Sequence, residues 1–173
     1  MKYFASLMIA LAVGLSVQAA DVTTKITDTH VCCGSCQKAV SNIVAHVEGL
    51  TGSADEDSST ISLSGPDTAT VQKGADALVT AGFYGKSSNP DIKIASDTGV
   101  KGEKVKSLKL DDVHICCGHC VKDINEALSA VPGVTGNDAA KGNKTLTING
   151  DFNDKDAVDA LQKIGLTGKV AKE

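Results

Sequence analysis

An internal repeat constrains what this chain can fold into more than any other feature of its sequence. The segment 30–36 (HVCCGSC) recurs 84 positions later as the segment 114–120 (HICCGHC). The match extends past this motif, since Gly82 and the residues before it pair with Gly165 after a gap of one residue. A fixed offset over such a length is the signature of a duplicated structural unit. The sequence therefore predicts two copies of one small domain.

Hydrophobic periodicity predicts the same order of elements in both copies. A β-rich stretch comes first, an amphipathic helix follows the cysteines, and strands and a second helix complete the unit. The segments that carry these patterns are 22–31, 40–47, 61–63, 71–78 and the region of Phe83 in the first copy, and 105–115, 121–131, 145–148, 157–164 and the region of Leu166 in the second. The resulting order, β, α, β, β, α, β, is that of the ferredoxin-like or split βαβ arrangement. We therefore expect an α+β protein with two tandem ferredoxin-like (βαββαβ) domains.

The sequence leaves two points of this order open. The second strand of the first copy has to be found around the acidic and polar stretch 53–59. In the second copy, the apolar positions shift phase between Leu110 and Val113. Either a β-bulge or an early end of the first strand would explain this shift.

The first residues of the chain have the pattern of a secretory signal peptide. Lys2 precedes a short apolar run over 7–15, and the small residues Val17 and Ala19 fit cleavage after Ala19 or Ala20. The apolar run is shorter than the roughly 20 residues that a membrane span needs. We therefore expect an exported protein, periplasmic or extracellular, with no membrane insertion after cleavage.

The domain boundaries follow from the repeat and from a polar stretch between its copies. Residues 89–104 are rich in Ser, Asp, Gly and Lys and have no sustained apolar period, as is typical of a linker. The predicted organisation is a signal peptide at 1–19, a first domain at 22–88, a linker at 89–104 and a second domain at 105–173.

Composition excludes some classes of function. The formal net charge is −4, aromatic residues make up 3% of the chain, and arginine does not occur. Nucleic-acid binding depends on basic surfaces and on aromatic stacking, so nucleic acid is not an expected partner. The sequence also has no phosphate-binding loop and no recognisable catalytic relay. We expect a protein that is not an enzyme.

The cysteines carry the chemistry that the sequence does reveal. All six lie in the two repeated motifs, at the predicted junction between a strand and a helix; they are Cys32, Cys33, Cys36, Cys116, Cys117 and Cys120. A helix N-terminus favours the thiolate, which is the metal-binding form. In each motif a Cys-x-x-Cys pair can bind one ion, the preceding cysteine can add a third sulfur, and three histidines are candidate nitrogen ligands: His30, His114 and His119. Three sulfurs and one nitrogen suit Zn(II), whereas two or three sulfurs suit Cu(I) or another soft ion.

These motifs resemble the heavy-metal-associated domain, which occurs in copper chaperones, periplasmic mercury-binding proteins and the N-terminal arms of metal-transporting ATPases. The resemblance places the two metal-binding cysteines of the family at Cys33 and Cys36, and at Cys117 and Cys120. The additional cysteine before each pair is similar to variants found in zinc and cadmium transport arms. The resemblance implies one soft-metal site per domain and a role as a metal scavenger, buffer or carrier. A metal-transporting membrane protein or another thiol-bearing carrier is the partner it implies.

Other interpretations of the cysteines stay open. Structural disulfides are common outside the cytoplasm, but three clustered cysteines per copy would leave one unpaired and close almost no loop. The Cys-x-x-Cys pairs are also compatible with a thiol-disulfide redox protein. A third possibility is that the motifs have lost metal binding and the domains serve as interaction modules.

Overall fold

The computed structural model describes residues 20–172. The predicted signal peptide at 1–19 lies outside these residues. None of the helices within 20–172 is both long and apolar enough to cross a membrane. We refer to residues 20–88 as the N-terminal half and to residues 104–172 as the C-terminal half.

The two halves contain the same elements in the same order. Those of the N-terminal half are β1 (Val22–Thr27), α1 (Gly34–Ala45), β2 (Thr51–Asp55), β3 (Thr60–Gly65), α2 (Thr68–Thr80) and β4 (Lys86–Ser87). Those of the C-terminal half are β5 (Lys104–Asp111), α3 (Gly118–Ser129), β6 (Val134–Asn137), β7 (Leu146–Asn153), α4 (Asp154–Lys163) and β8 (Lys169–Val170). The strands form two antiparallel sheets of order β2-β3-β1-β4 and β6-β7-β5-β8. The predicted α+β class is confirmed, and the topology is consistent with a ferredoxin-like fold.

Each half encloses a hydrophobic core of its own between its sheet and its helices. The predicted helix stripes are buried in these cores, with Val40 and Val44 on α1 and Ile124 and Leu128 on α3. Burying such side chains contributes about 1.5–3 kcal/mol each. The helix that follows each cysteine motif is therefore fixed firmly against its own sheet, and the fixed helices set the positions of the cysteines.

The first strand of each half ends earlier than predicted. β1 stops at Thr27 and β5 stops at Asp111, whereas the sequence patterns extend to residues 31 and 115. The next residues, Asp28 and Asp112, adopt φ angles of 55° and 60°, a left-handed conformation that ends an extended strand. An early end of the strand is thus the explanation for the phase shift after Leu110. The cysteine motifs consequently lie on a loop that leaves the sheet.

The last strands lie further along the chain than predicted. We expected them near Phe83 and Leu166, but β4 and β8 begin at Lys86 and Lys169. Phe83 and Leu166 instead pair with each other in an isolated antiparallel bridge. This bridge joins the N-terminal half to the C-terminal half.

The predicted linker at 89–104 is packed against both halves, although it has no helix or strand before Lys104. Ile92 is only 2% exposed and belongs to the core of the N-terminal half. On the other side, the buried carboxylate of Asp154 accepts hydrogen bonds from the backbone N–H groups of Lys101 and Glu103, both at 2.9 Å. The segment therefore connects the halves along a fixed path.

Candidate metal centre

The two halves meet through a pair of equivalent contacts at Gly82 and Gly165. The backbone N–H of Tyr84 donates to the carbonyl of Gly165, and that of Thr167 donates to the carbonyl of Gly82, both at 2.9 Å. A Cβ atom on Gly82 would lie 2.4 Å from the backbone nitrogen of His114, and one on Gly165 would lie 2.3 Å from that of His30. Only glycine permits such a close approach of two backbones. Each glycine therefore lies in direct contact with the histidine at the start of the cysteine motif of the other half, His114 for Gly82 and His30 for Gly165.

This contact brings all six cysteines together. The shortest distances between Sγ atoms of different halves are 3.3 Å for Cys36 and Cys116 and 3.4 Å for Cys32 and Cys117. Two more contacts between the halves, Cys32 with Cys120 at 3.7 Å and Cys33 with Cys116 at 3.8 Å, have the same symmetry. None of the six is in a disulfide. The interface therefore places the two motifs face to face in one cluster.

Contacts within each motif complete the cluster. Cys33 and Cys36 are 3.9 Å apart, and their counterparts Cys117 and Cys120 are 3.7 Å apart. The first cysteine of each motif also lies 3.7 Å from the last, which joins Cys32 to Cys36 and Cys116 to Cys120.

The start of each helix determines how these thiols are held. Cys33 and Cys117 are the N-cap residues of α1 and α3, with extended backbone and no hydrogen bond from the side chain to the helix. Their thiols are therefore free to face the cluster, while the partly positive helix N-terminus lies beside them. Cys36 and Cys120, one turn into the helices, are fully buried.

The thiols of the cluster differ in pKa, so some ionise more easily than others. Burial raises the pKa of the Cys33 thiol, but the polar backbone N–H groups of Cys36 and Ser35 at the start of α1 outweigh it and lower the pKa to about 7. Burial is the main reason why the pKa of Cys116 is raised to about 12 and that of Cys32 is raised further. For Cys36, the nearby thiol of Cys120 lowers the pKa, but burial and the neighbouring Cys116 raise it by more. Six crowded sulfurs cannot all be anionic without a compensating cation.

The three candidate histidines have different environments. His30 is buried, and its ring lies within 4.8 Å of the sulfurs of Cys32 and Cys120 in a group that could hold a metal ion. Its Nε2 is 4.0 Å from a carboxylate oxygen of Asp123 and has no hydrogen-bond partner among residues 20–172. The ring of His114 instead packs at a tilt against that of Phe83, with ring centroids 4.3 Å apart. Burial lowers the pKa of His114 to about 4, with a further contribution from His30. His119 is exposed.

The donor set fits a soft metal ion. Sulfur atoms that coordinate one tetrahedral zinc ion at about 2.3 Å are about 3.8 Å apart, and the contacts in the cluster range from 3.3 to 3.9 Å. Thiolates and a neutral imidazole are the ligands preferred by Zn(II) and Cu(I). The unpartnered Nε2 of His30 supplies a nitrogen at the edge of the cluster. The arrangement can therefore hold one or more soft metal ions. The positive charge of each ion would offset the repulsion between neighbouring thiolates.

Comparison with known proteins finds a family match in the C-terminal half. Residues 110–169 match the family model of the heavy-metal-associated domain. No curated protein matches the chain. A solved structure, that of the N-terminal soluble domains of Bacillus subtilis CopA, is similar at 15% sequence identity; the match covers 88% of this chain and 95% of that one, with a TM-score of 0.34. The family match implies heavy-metal binding and does not favour the thiol-disulfide alternative.

Sequence reasoning did not identify the residues that assemble the site. The contact that joins the motifs is formed by residues 45 to 47 positions beyond the last cysteine of their own half: Gly82, Phe83, Gly165 and Leu166. The recurrence of this Gly-apolar pair in both copies is the sequence feature that could have identified these positions. A glycine that recurs before an apolar residue indicates a position of close backbone approach, although the sequence does not reveal what approaches it.

Proposed function

We propose that this chain is an exported, non-enzymatic protein that binds soft heavy-metal ions through the six-cysteine cluster between its two halves. In this proposal each half is one domain of a tandem pair behind a signal peptide, and the cluster takes the place of two independent sites. The protein would act as a scavenger, buffer or carrier of Cu(I) or Zn(II).

The observation that carries this proposal is the network of sulfur contacts at 3.3–3.9 Å, which includes every cysteine of the chain. A protein of this size has no structural need to collect all its thiols at one point, because each half already has a complete apolar core. The heavy-metal-associated match over residues 110–169 supports the same chemistry.

Partial exposure of four of the six thiols supports a role in transfer rather than permanent storage. Cys32, Cys33, Cys116 and Cys117 are each partly accessible. A thiol-bearing partner, such as a metal-transporting membrane protein, can then attack the bound ion and remove it by stepwise ligand exchange.

The test is metal binding by the purified protein under reducing, anaerobic conditions. We expect Cu(I) and Zn(II) to bind in titrations followed by metal analysis and thiol counting. Binding should be lost when Cys33, Cys36, Cys117 and Cys120 are changed to Ser together. A matched control changes Ser41, Ser53, Ser88 and Ser129 to Ala, which removes four exposed hydroxyls outside the cysteine motifs and no thiol, and it should bind metal as the unaltered protein does.

Two results would contradict the proposal. One is the absence of Cu(I) and Zn(II) binding by the unaltered, reduced protein. The other is rapid formation of disulfides that exchange with glutathione while metal binding is absent, which would identify a thiol-disulfide protein. Export is tested separately, by N-terminal sequencing of protein recovered from outside the cytoplasm, where cleavage after Ala19 or Ala20 is the expected result.

A further inference from the structure

We infer that the two halves exchange ligands, so that the first cysteine of each motif completes the metal site of the opposite half. Cys32 would bind the ion held by Cys117 and Cys120, and Cys116 would bind the ion held by Cys33 and Cys36. This inference rests on the proposed metal-binding function and specifies how its ligands are divided.

Two triangles of sulfur atoms carry the inference. In the first triangle, Cys32 is 3.4 Å from Cys117 and 3.7 Å from Cys120, and Cys117 is 3.7 Å from Cys120. All three edges fall within the sulfur spacing of a single soft metal ion, about 3.8 Å for tetrahedral zinc.

The second triangle is the symmetry counterpart of the first. Cys116 is 3.3 Å from Cys36 and 3.8 Å from Cys33, and Cys33 is 3.9 Å from Cys36. A contact that recurs in both directions across an interface is the property of an isologous pairing. Ligand exchange between the halves is therefore built into both sites.

The shortest sulfur contacts of the first cysteines cross to the other half. Within each motif the Sγ atoms of the first and second cysteines lie within 4.8 Å of each other, whereas contacts of 3.4 and 3.3 Å join Cys32 and Cys116 to the opposite motif. The closest sulfur to Cys32 accordingly belongs to Cys117, and the closest sulfur to Cys116 belongs to Cys36, which lies on the other half.

Packing against the cores supports the same division. Cys32 and Cys116 each contact the apolar cores of both halves. Cys33 contacts only the core of the N-terminal half, and Cys117 only that of the C-terminal half. The first cysteines are thus the members of the cluster that lie across the interface.

The two sites are not identical, because within residues 20–172 a histidine nitrogen lies in a candidate metal group with sulfurs of the first triangle and not of the second. His30 forms a candidate metal group with Cys32 and Cys120, two members of the first triangle. The equivalent residue, His114, is in no candidate metal group among residues 20–172, and its ring packs against Phe83 at an interplanar angle of 32°. His30 therefore adds a nitrogen beside two sulfurs of the first triangle, a ligand type that suits tetrahedral Zn(II), whereas the second triangle offers three sulfurs, as Cu(I) accepts. Each thiol that coordinates an ion releases its proton to solvent.

The test compares two triple variants of the full chain that each keep three cysteines. The variant C33S/C36S/C116S keeps the exchanged set Cys32, Cys117 and Cys120. The variant C32S/C33S/C36S keeps the set within one motif, Cys116, Cys117 and Cys120. The two variants share C33S and C36S and differ in whether Cys32 or Cys116 remains. Any loss of metal affinity or stability caused by the shared substitutions is therefore the same in both variants.

The probe is Cd(II), followed by its thiolate charge-transfer absorption, with the number of bound sulfurs measured by X-ray absorption. We expect the exchanged set to bind one Cd(II) with three sulfurs. The set within one motif should bind Cd(II) with two sulfurs. Because it has one coordinating sulfur fewer, its affinity for Cd(II) should be lower by about tenfold or more. Circular dichroism shows whether each variant is folded. A second pair of variants repeats the comparison with the other motif and retains the buried Cys36; the pair is C32S/C117S/C120S and C116S/C117S/C120S.

The outcomes separate this inference from the proposed function. Equal or tighter binding by the set within one motif, with three sulfurs, overturns ligand exchange and leaves metal binding intact. Failure of the unaltered protein to bind any soft ion overturns the proposed function itself. Tighter binding by the exchanged set in both pairs supports the inference.

Discussion

Changing Gly82 to Ala tests whether the interface between the halves assembles the thiol cluster. The new Cβ would lie 2.4 Å from the carbonyl oxygen of Asp112 and 2.4 Å from the backbone nitrogen of His114. Ordinary contact begins at 3.4 Å, so the halves have to separate by about 1 Å at this point. The atoms that block the Cβ are backbone atoms, and no side-chain rotation can relieve the overlap.

The magnitude has two parts that a second variant can separate. Gly82 has a φ of 89°, which costs an alanine about 1–2 kcal/mol. Overpacking adds about 1–3 kcal/mol. Gly142 also has a φ of 89°, but a Cβ atom at this position would meet nothing within 4 Å, so Gly142→Ala incurs the first cost alone.

The measurements are thermal unfolding and Cd(II) affinity of the two variants beside the unaltered protein. The overpacking difference should lower the Tm of Gly82→Ala by on the order of 5 °C relative to Gly142→Ala. A separation of about 1 Å would also stretch the contact of 3.4 Å between Cys32 and Cys117 beyond the spacing of about 3.8 Å that one ion allows. Metal affinity should therefore fall about tenfold or more in Gly82→Ala only.

Equal effects of the two variants on Tm and on Cd(II) affinity would refute this reasoning. Such a result would mean that the backbone of Gly82 does not contact the segment before the second cysteine motif. A loss of stability in Gly82→Ala without any loss of affinity would show that the cluster does not depend on the interface.

Three further predictions concern single residues. Iodoacetamide at pH 7.5 should alkylate Cys33 before Cys32, because the pKa of Cys33 is lowered and that of Cys32 is raised. The rate of alkylation of Cys33 should fall as the pH drops below about 7. Peptide mass spectrometry follows the order of modification, and alkylation of Cys32 first would contradict the prediction. The pKa of His114 is lowered to about 4, so the unfolded chain binds a proton more readily between pH 6.5 and 4, and stability should fall over that window as the pH decreases; His114→Phe should weaken the dependence, and an unchanged Tm profile would contradict it. Asp154→Ala leaves two backbone N–H groups without their acceptor and should cost about 1–3 kcal/mol, with faster proteolysis near Lys101, whereas exposed Asp151→Ala serves as a control with little effect.

Local patterns in the sequence predict much of the fold. The spacing of Val40 and Val44 identifies the buried face of α1, and the same spacing at Ile124 and Leu128 identifies that of α3. Strand ends are harder to predict, because they depend on single backbone angles. The left-handed conformation of Asp112 ends β5 in spite of the apolar residues that follow it.

The site is predictable in its chemistry and not in its geometry. The motif predicts six candidate thiol ligands and a preference for soft metals, because coordination depends on residue type and short spacing. The meeting of Cys32 with Cys117 depends on how two folded halves pack, which no local pattern encodes. The same applies to the histidines: His30 and His114 occupy equivalent positions in the repeat, but only His30 lies in a candidate metal group with the cysteines.

Carrying both cysteine motifs on one chain makes assembly of the cluster independent of protein concentration. Two separate molecules with the same surfaces would first have to associate, and dilution would pull them apart. A flexible tether alone already gives an effective concentration of about millimolar. Here the connecting segment is also held in place by the burial of Ile92 and by the carboxylate of Asp154, which restricts the halves further. The protein can therefore present a complete set of thiols when it is scarce, the condition under which a site shared between two molecules would fall apart.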